Sequence, residues 1–105
     1  MTALEKCEIV RAALEDKKAE DIRVIDVRGK SSITDAIVVA SASAAPHLRA
    51  LSVGVQRELS EKLGEHAKVS GDAESAWIVL DYFDVMVHVF LPDARAYYDL
   101  ESLWK

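Results

Sequence analysis

Asp81, Asp84 and His88 come nearest, by type and spacing, to a metal or acid–base centre. Carboxylates and an imidazole can hold a divalent cation when their donor atoms converge. The run that follows Asp84 alternates as a strand, with Val85, Val87, Val89 and Leu91 on one face and Asp84, Met86, His88 and Phe90 on the other. Along a strand, Asp84 and His88 stand about 13 Å apart, too far to share one ion without a sharp bend. The expected arrangement is therefore a pair of turn carboxylates plus a histidine hydrogen-bonded at a packed surface. Neither metal nor cofactor is expected.

The segment Gly29-Lys-Ser-Ser-Ile-Thr-Asp35 invites comparison with a phosphate-binding loop. Such a loop needs a glycine six positions before its lysine and a helix after it, so that several backbone amides surround the phosphates. Here Val24 occupies that position and a strand follows. The segment reads instead as a polar connection whose Ser31, Ser32 and Asp35 side chains bond to turn backbone. His47 and His66 belong to no cluster with ligand spacing and read as surface residues. No Gly-x-Ser-x-Gly occurs, so nucleophilic catalysis has no specific support. Cys7, the single cysteine, cannot form an internal disulfide and reads as a small buried hydrophobe on a helix.

Trp77, Tyr82, Phe83, Tyr97, Tyr98 and Trp104 gather most of the aromatic rings in the last third. Tyr82 and Phe83 lie between carboxylates at a turn, where burial is harder. Rings beside acids make a contact patch for a basic protein, the rings supplying area and the charges steering.

The elements that must position these residues follow from periodicity. Ala3, Cys7, Val10 and Leu14 form the apolar stripe of a helix over residues 2–18, with Thr2 and Glu5 as a capping box. Residues 22–27 and 35–41 read as strands, the second apolar enough to be covered on both faces. Leu48, Leu51, Val55, Leu59 and Leu63 define a helix over 45–63, with Ser43 as its cap, Pro46 in its first turn and Gly64 as its terminator. A short edge strand over 68–70 precedes strands over 77–80 and 85–91, the last of them central. Pro92 ends that strand, and a helix runs from Asp93 to Leu103 or Trp104. Helix, two strands, helix, three strands, helix describes one α/β domain of the α+β type over residues 1–105, a mixed sheet of about five strands with flanking helices.

With 105 residues the chain is long enough for one hydrophobic core without metal or disulfide. Its net charge of −5 opposes broad docking on a phosphate backbone, so little direct nucleic-acid binding is expected, while a basic protein partner suits it. Glu5, Lys6 and Glu8 interrupt the N-terminal segment, which reads as neither signal peptide nor membrane span. With the lone thiol, this makes the cytoplasm the expected compartment.

Four separated motifs resemble one family, the ribosomal silencing factors (RsfS, also YbeB or Iojap). Trp77-Ile-Val-Leu-Asp-Tyr-Phe-Asp-Val-Met-Val-His-Val89 is similar to its Trp-x-x-x-Asp-Tyr/Leu-Gly-Asp-Val-x-Val-His-Val signature. Arg95-Ala-Tyr-Tyr-Asp-Leu-Glu-Ser-Leu-Trp104 resembles its ending, Asp26 to Asp35 its first strand and loop, and His47-Leu-Arg-Ala50 the start of its second helix. Phe83 stands where the family has Gly, Ala42 replaces Gly and Pro46 replaces Arg.

The resemblance implies a nucleotidyltransferase-like fold without the enzyme's chemistry. Such enzymes hold metal and phosphate with Asp-x-Asp or Asp-x-Glu, whereas Asp35 is followed by Ala36 and Ile37. It further implies a non-enzymatic factor that binds the large ribosomal subunit through ribosomal protein L-fourteen. The bound factor sterically blocks small-subunit association and represses translation under nutrient limitation; a homodimer is plausible when free. The expected partner-binding residues are Trp77 and Tyr82 as apolar anchors, Asp81 and Asp84 as charge partners, Asp72 and Glu74 at the rim, and Tyr98 for added area. The alternatives are a large-subunit assembly factor and a divergent nucleotidyltransferase-like enzyme using Asp35, Asp81 and Asp84.

Overall fold

Thr2 and Glu5 close the N-terminus of the first helix reciprocally. The Glu5 amide donates to Thr2 Oγ1 and the Thr2 amide to Glu5 Oε1, each at 3.2 Å, which satisfies two amides that a helix start otherwise leaves orphaned. Helix α1 (Ala3–Asp16) buries the expected stripe of Ala3, Cys7, Val10 and Leu14. The computed structural model describes residues 2–32 and 34–99, except the Tyr98 side chain.

Strands β1 (Glu20–Asp26), β2 (Ala36–Ser41), β3 (Lys68–Asp72), β4 (Trp77–Asp81) and β5 (Val85–Phe90) form one sheet in the order β1-β2-β5-β4-β3. β2 and β5 run parallel and the other neighbours antiparallel, so the sheet is mixed. All six residues of β2 are buried and β5 lies at the centre, as their continuous apolar runs predict. β3 is an edge strand, exposed throughout. Gly71 within it adopts φ +78°, and a Cβ there would lie 2.2 Å from the Trp77 carbonyl oxygen; only glycine permits that approach.

Helix α2 (Ala45–Leu63) buries Leu48, Leu51, Val55 and Leu59 and ends at Gly64 in the left-handed region, φ +66°. Its N-terminus departs from expectation. Ala44 occupies the cap position and Ser43 does not cap. The Ser43 amide instead donates to His47 Nδ1 at 2.9 Å, while His47 Nε2 lies 2.7 Å from the Lys17 carbonyl oxygen. With an amide facing Nδ1 and a carbonyl facing Nε2, the ring proton belongs on Nε2. His47, expected at the surface, is a half-buried clamp joining the end of α1 to the start of α2.

α1 and α2 pack together on one face of the sheet, enclosing the larger core that includes Leu14, Val38, Leu51, Leu80 and Val87. A smaller cluster on the opposite face contains Val27, Ile37, Val39 and Phe90, with Ile25, Trp77 and Ala94 against it. Ala94 belongs to helix α3 (Pro92–Tyr98). The rest of the expected C-terminal helix lies outside the described residues. No described helix is long and apolar enough to cross a membrane.

Candidate functional site

The β4–β5 turn is built by Asp81. Its Oδ1 accepts the Phe83 amide at 2.8 Å, and the Tyr82 amide donates to the Val85 carbonyl at 2.9 Å. Phe83 is thereby held at φ +74°, and its ring is 85% exposed. Left-handed backbone disfavours a bulky residue. Phe83 thus carries a protruding ring in a backbone conformation that glycine adopts more freely.

Tyr82 is not the exposed anchor that its place beside the turn suggests. It is 5% exposed and belongs to the larger core. The reason is strand parity: Ile78 and Leu80 point to the helical layer and Tyr82 continues that series, whereas Trp77, Val79 and Asp81 are half-buried on the alternate positions. Burial, with a smaller effect of Glu65, pushes the Tyr82 phenol up to about 12. Its hydroxyl has no hydrogen-bond partner among the described residues.

Asp84 is likewise not wholly free for a partner. Its Oδ1 accepts from Lys6 Nζ at 2.7 Å, and the same ammonium reaches Glu65 Oε1 at 2.6 Å. Lys6 is 5% exposed. Burial alone would lower its pKa, but the hydrogen bonds to Asp84 and Glu65 outweigh it and raise the value. Sequence reasoning missed this triad, although position 6 lies three after Ala3 and four before Val10, on the buried side of α1. A lysine there requires a buried counter-charge.

The alternation read from the sequence puts His88 on one face with Asp84, but the structure separates them. Asp84 precedes the strand and turns toward α1, while His88 lies among rings in the opposite layer. Its Nδ1 accepts the Trp77 indole N–H at 3.1 Å, and burial pushes its pKa down to about 4. This is the hydrogen-bonded histidine at a packed surface that the sequence suggests. Trp77 itself is half-buried and stacks on Phe90 at 5.1 Å and 24°.

Asp35 meets Asp84 through backbone: its amide donates to the Asp84 carbonyl at 3.0 Å. A cavity of about 120 Å³ between the two segments is lined by Ser31, Ser32, Thr34, Asp35, Phe83 and Asp84. The loop is the polar connection expected, with Ser31 Oγ accepting the Thr34 amide at 3.4 Å. Lys6 occupies Asp84, a backbone amide occupies Asp81, and no group of three potential ligands converges among the described residues.

The candidate partner-binding residues fall at two ends of β4. Trp77 lies opposite Asp72 across the β3–β4 pair, near exposed Glu74. Asp72 Oδ1 also accepts the Ser75 amide at 2.8 Å, shaping that connection. Asp81, Phe83 and Asp84 occupy the other end, about 13 Å away by strand rise. The Tyr98 side chain lies outside the described residues.

Residues 1–105 match the family model described as "Ribosomal silencing factor during starvation", RsfS. The chain belongs to the RsfS family. The RsfS of Bacillus subtilis is 35% identical over 96 residues, covering 91% of this chain and 81% of the relative. The mouse protein named "Mitochondrial assembly of ribosomal large subunit protein 1" is 31% identical over 94 residues, 87% of this chain and 41% of its own length. A crystal structure of a protein from Chromobacterium violaceum superposes with a TM-score of 0.88 at 36% identity, covering 99% of this chain and 87% of that one. The mixed sheet with helices is thus a fold this RsfS-family chain shares with a solved protein of clear sequence similarity.

Proposed function

We propose that this chain represses translation by occupancy. It docks in the cytoplasm on ribosomal protein L-fourteen of the large subunit, covers ground that the small subunit needs, and holds the subunits apart when nutrients are short. It makes and breaks no bonds. The observation that carries this reading is the match of residues 1–105 to a family described by ribosome silencing during starvation. The acidic, ring-bearing ends of β4 suit a cationic protein, because charge steers the encounter and rings supply buried area.

In this reading Trp77 anchors one end, with Asp72 and Glu74 at its rim. Asp81 supplies charge at the other end, where Phe83 takes the exposed-ring role that the sequence suggested for Tyr82. Tyr82 supports the turn from beneath, Asp84 divides itself between Lys6 and the partner, and Tyr98 adds area. Free protein forms a homodimer that opens before docking if the surfaces overlap.

Trp77→Ala is expected to weaken co-sedimentation with purified large subunits by about thirtyfold, the loss typical of a buried aromatic anchor. Unchanged co-sedimentation of the folded variant removes Trp77 from the interface. A second reading, assembly of the large subunit, is favoured by the name of the mouse relative. It predicts accumulation of immature large-subunit particles when the protein is depleted in growing, well-fed cells. The enzymatic alternative predicts saturable nucleotide and Mg²⁺ binding by calorimetry; the occupancy reading predicts none.

A further inference from the structure

An indole nitrogen donates a hydrogen bond and cannot accept one. Trp77 Nε1–H donates to His88 Nδ1 at 3.1 Å, so that nitrogen is bare and the neutral ring carries its proton on Nε2. The contact follows from the register. In the antiparallel β4–β5 pair Trp77 faces Phe90 and Val79 faces His88, so Trp77 and His88 are diagonal neighbours, within reach of a long side chain. The indole stacks on Phe90 and lies tilted by 31° at 5.8 Å from the imidazole. His88 is 7% exposed and stands on the central strand, whose backbone is paired on both sides. It offers a fixed acceptor.

Among the described contacts, two of different kinds thus hold the indole. Stacking on Phe90 sets the plane of the ring but tolerates rotation within it. The hydrogen bond selects a single orientation, because only one edge of the indole carries an N–H. We propose that His88 is a positioning residue for docking: through the indole N–H it holds Trp77, before the partner arrives, in the one orientation whose outer surface meets the large subunit. This rests on Trp77 being an anchor. Its physical effect is preorganisation, since ordering a side chain in advance removes that ordering from the unfavourable side of binding.

The test separates the acceptor from the ring. His88→Phe keeps an aromatic ring beside Trp77 and Phe90 and removes the acceptor. His88→Asn removes the ring and keeps an acceptor at the Nδ1 position. The Trp77 indole N–H signal in ¹H–¹⁵N NMR spectra of the full chain, identified by its loss in Trp77→Phe, reports the hydrogen bond. Co-sedimentation with purified large subunits reports docking. In His88→Phe the indole signal is expected to move upfield and exchange faster with solvent, and affinity to fall by about threefold to tenfold, the range of one hydrogen bond. His88→Asn is expected to preserve both. If His88→Phe does not fold, His88→Gln replaces it, since its acceptor lies one bond too far along the side chain.

An unmoved indole signal in His88→Phe overturns the inference. So does intact docking of His88→Phe where Trp77→Ala has lost it, or a docking defect in His88→Asn that equals or exceeds that of His88→Phe, which shows that an acceptor at this position is not what docking needs. Normal docking by Trp77→Ala removes the anchor itself and the positioning role with it. The NMR signal then still tells whether the hydrogen bond exists, so the two failures are distinguishable.

Discussion

Phe83 occupies a conformation that a glycine adopts freely, φ +74°. Holding a bulky residue in the left-handed region costs roughly 1–2 kcal/mol, and a glycine there loses part of that gain to its freer unfolded chain. Phe83→Gly is therefore expected to raise unfolding stability by about 0.5–1 kcal/mol in urea titrations while weakening large-subunit binding. A variant that is both less stable and fully competent to bind contradicts the assignment of strain to the backbone and contact to the ring. His88 gives a second prediction. Its folded pKa lies near 4, below the ordinary value of 6.5, because burial disfavours the charged ring. Below pH 6.5 the unfolded chain takes up a proton that the folded one refuses. Stability associated with this group is full above pH 6.5 and is lost as pH falls toward 4, by on the order of 2–3 kcal/mol. The difference between the pH–stability curves of wild type and His88→Asn isolates it; parallel curves contradict it.

At the scale of elements, the joint between α1 and α2 depends on His47. Its two nitrogens satisfy the Ser43 amide and the Lys17 carbonyl, the kind of orphaned group that helix ends present. His47→Ala is expected to lower stability by about 1–2 kcal/mol, a cap loss plus an interhelix bond, measurable by chemical denaturation; a loss near zero means water replaces the ring. The same joint shows what a sequence reveals. The extent of α2 was legible because the leucine stripe, Pro46 and Gly64 are local signals, and the capping box of α1 was legible for the same reason. The clamp was not, because Lys17 lies 30 residues from His47. Tyr82 was misplaced by treating it as turn. Following the alternation of Ile78 and Leu80 one step further places it inside. Asp84 was read as a free acid because Lys6, 78 residues away, meets it only once α1 packs on the sheet. His88 was legible as a histidine at a packed surface, yet its pairing with Trp77, and the separation of Asp72 and Trp77 from Asp81 by the length of β4, needed the register.

The whole molecule carries a net charge of −5, and its internal ion pairs leave Asp72, Glu74 and Asp81 unclaimed by any described cation. Docking driven by such a surface is steered by charge and screened by salt. Association with large subunits is accordingly expected to slow as ionic strength rises, and to depend less on salt in Asp81→Lys; an identical salt response in that variant argues against charge pairing at the turn. The most direct measurement is a joining assay with purified small and large subunits, followed by sedimentation. Added wild-type protein should leave subunits free in proportion to its binding, with no nucleotide required, and Trp77→Ala and Asp81→Lys should restore joined ribosomes in step with their lost affinity. Joined ribosomes forming normally while the wild-type protein remains bound to the large subunit would contradict blocking by occupancy.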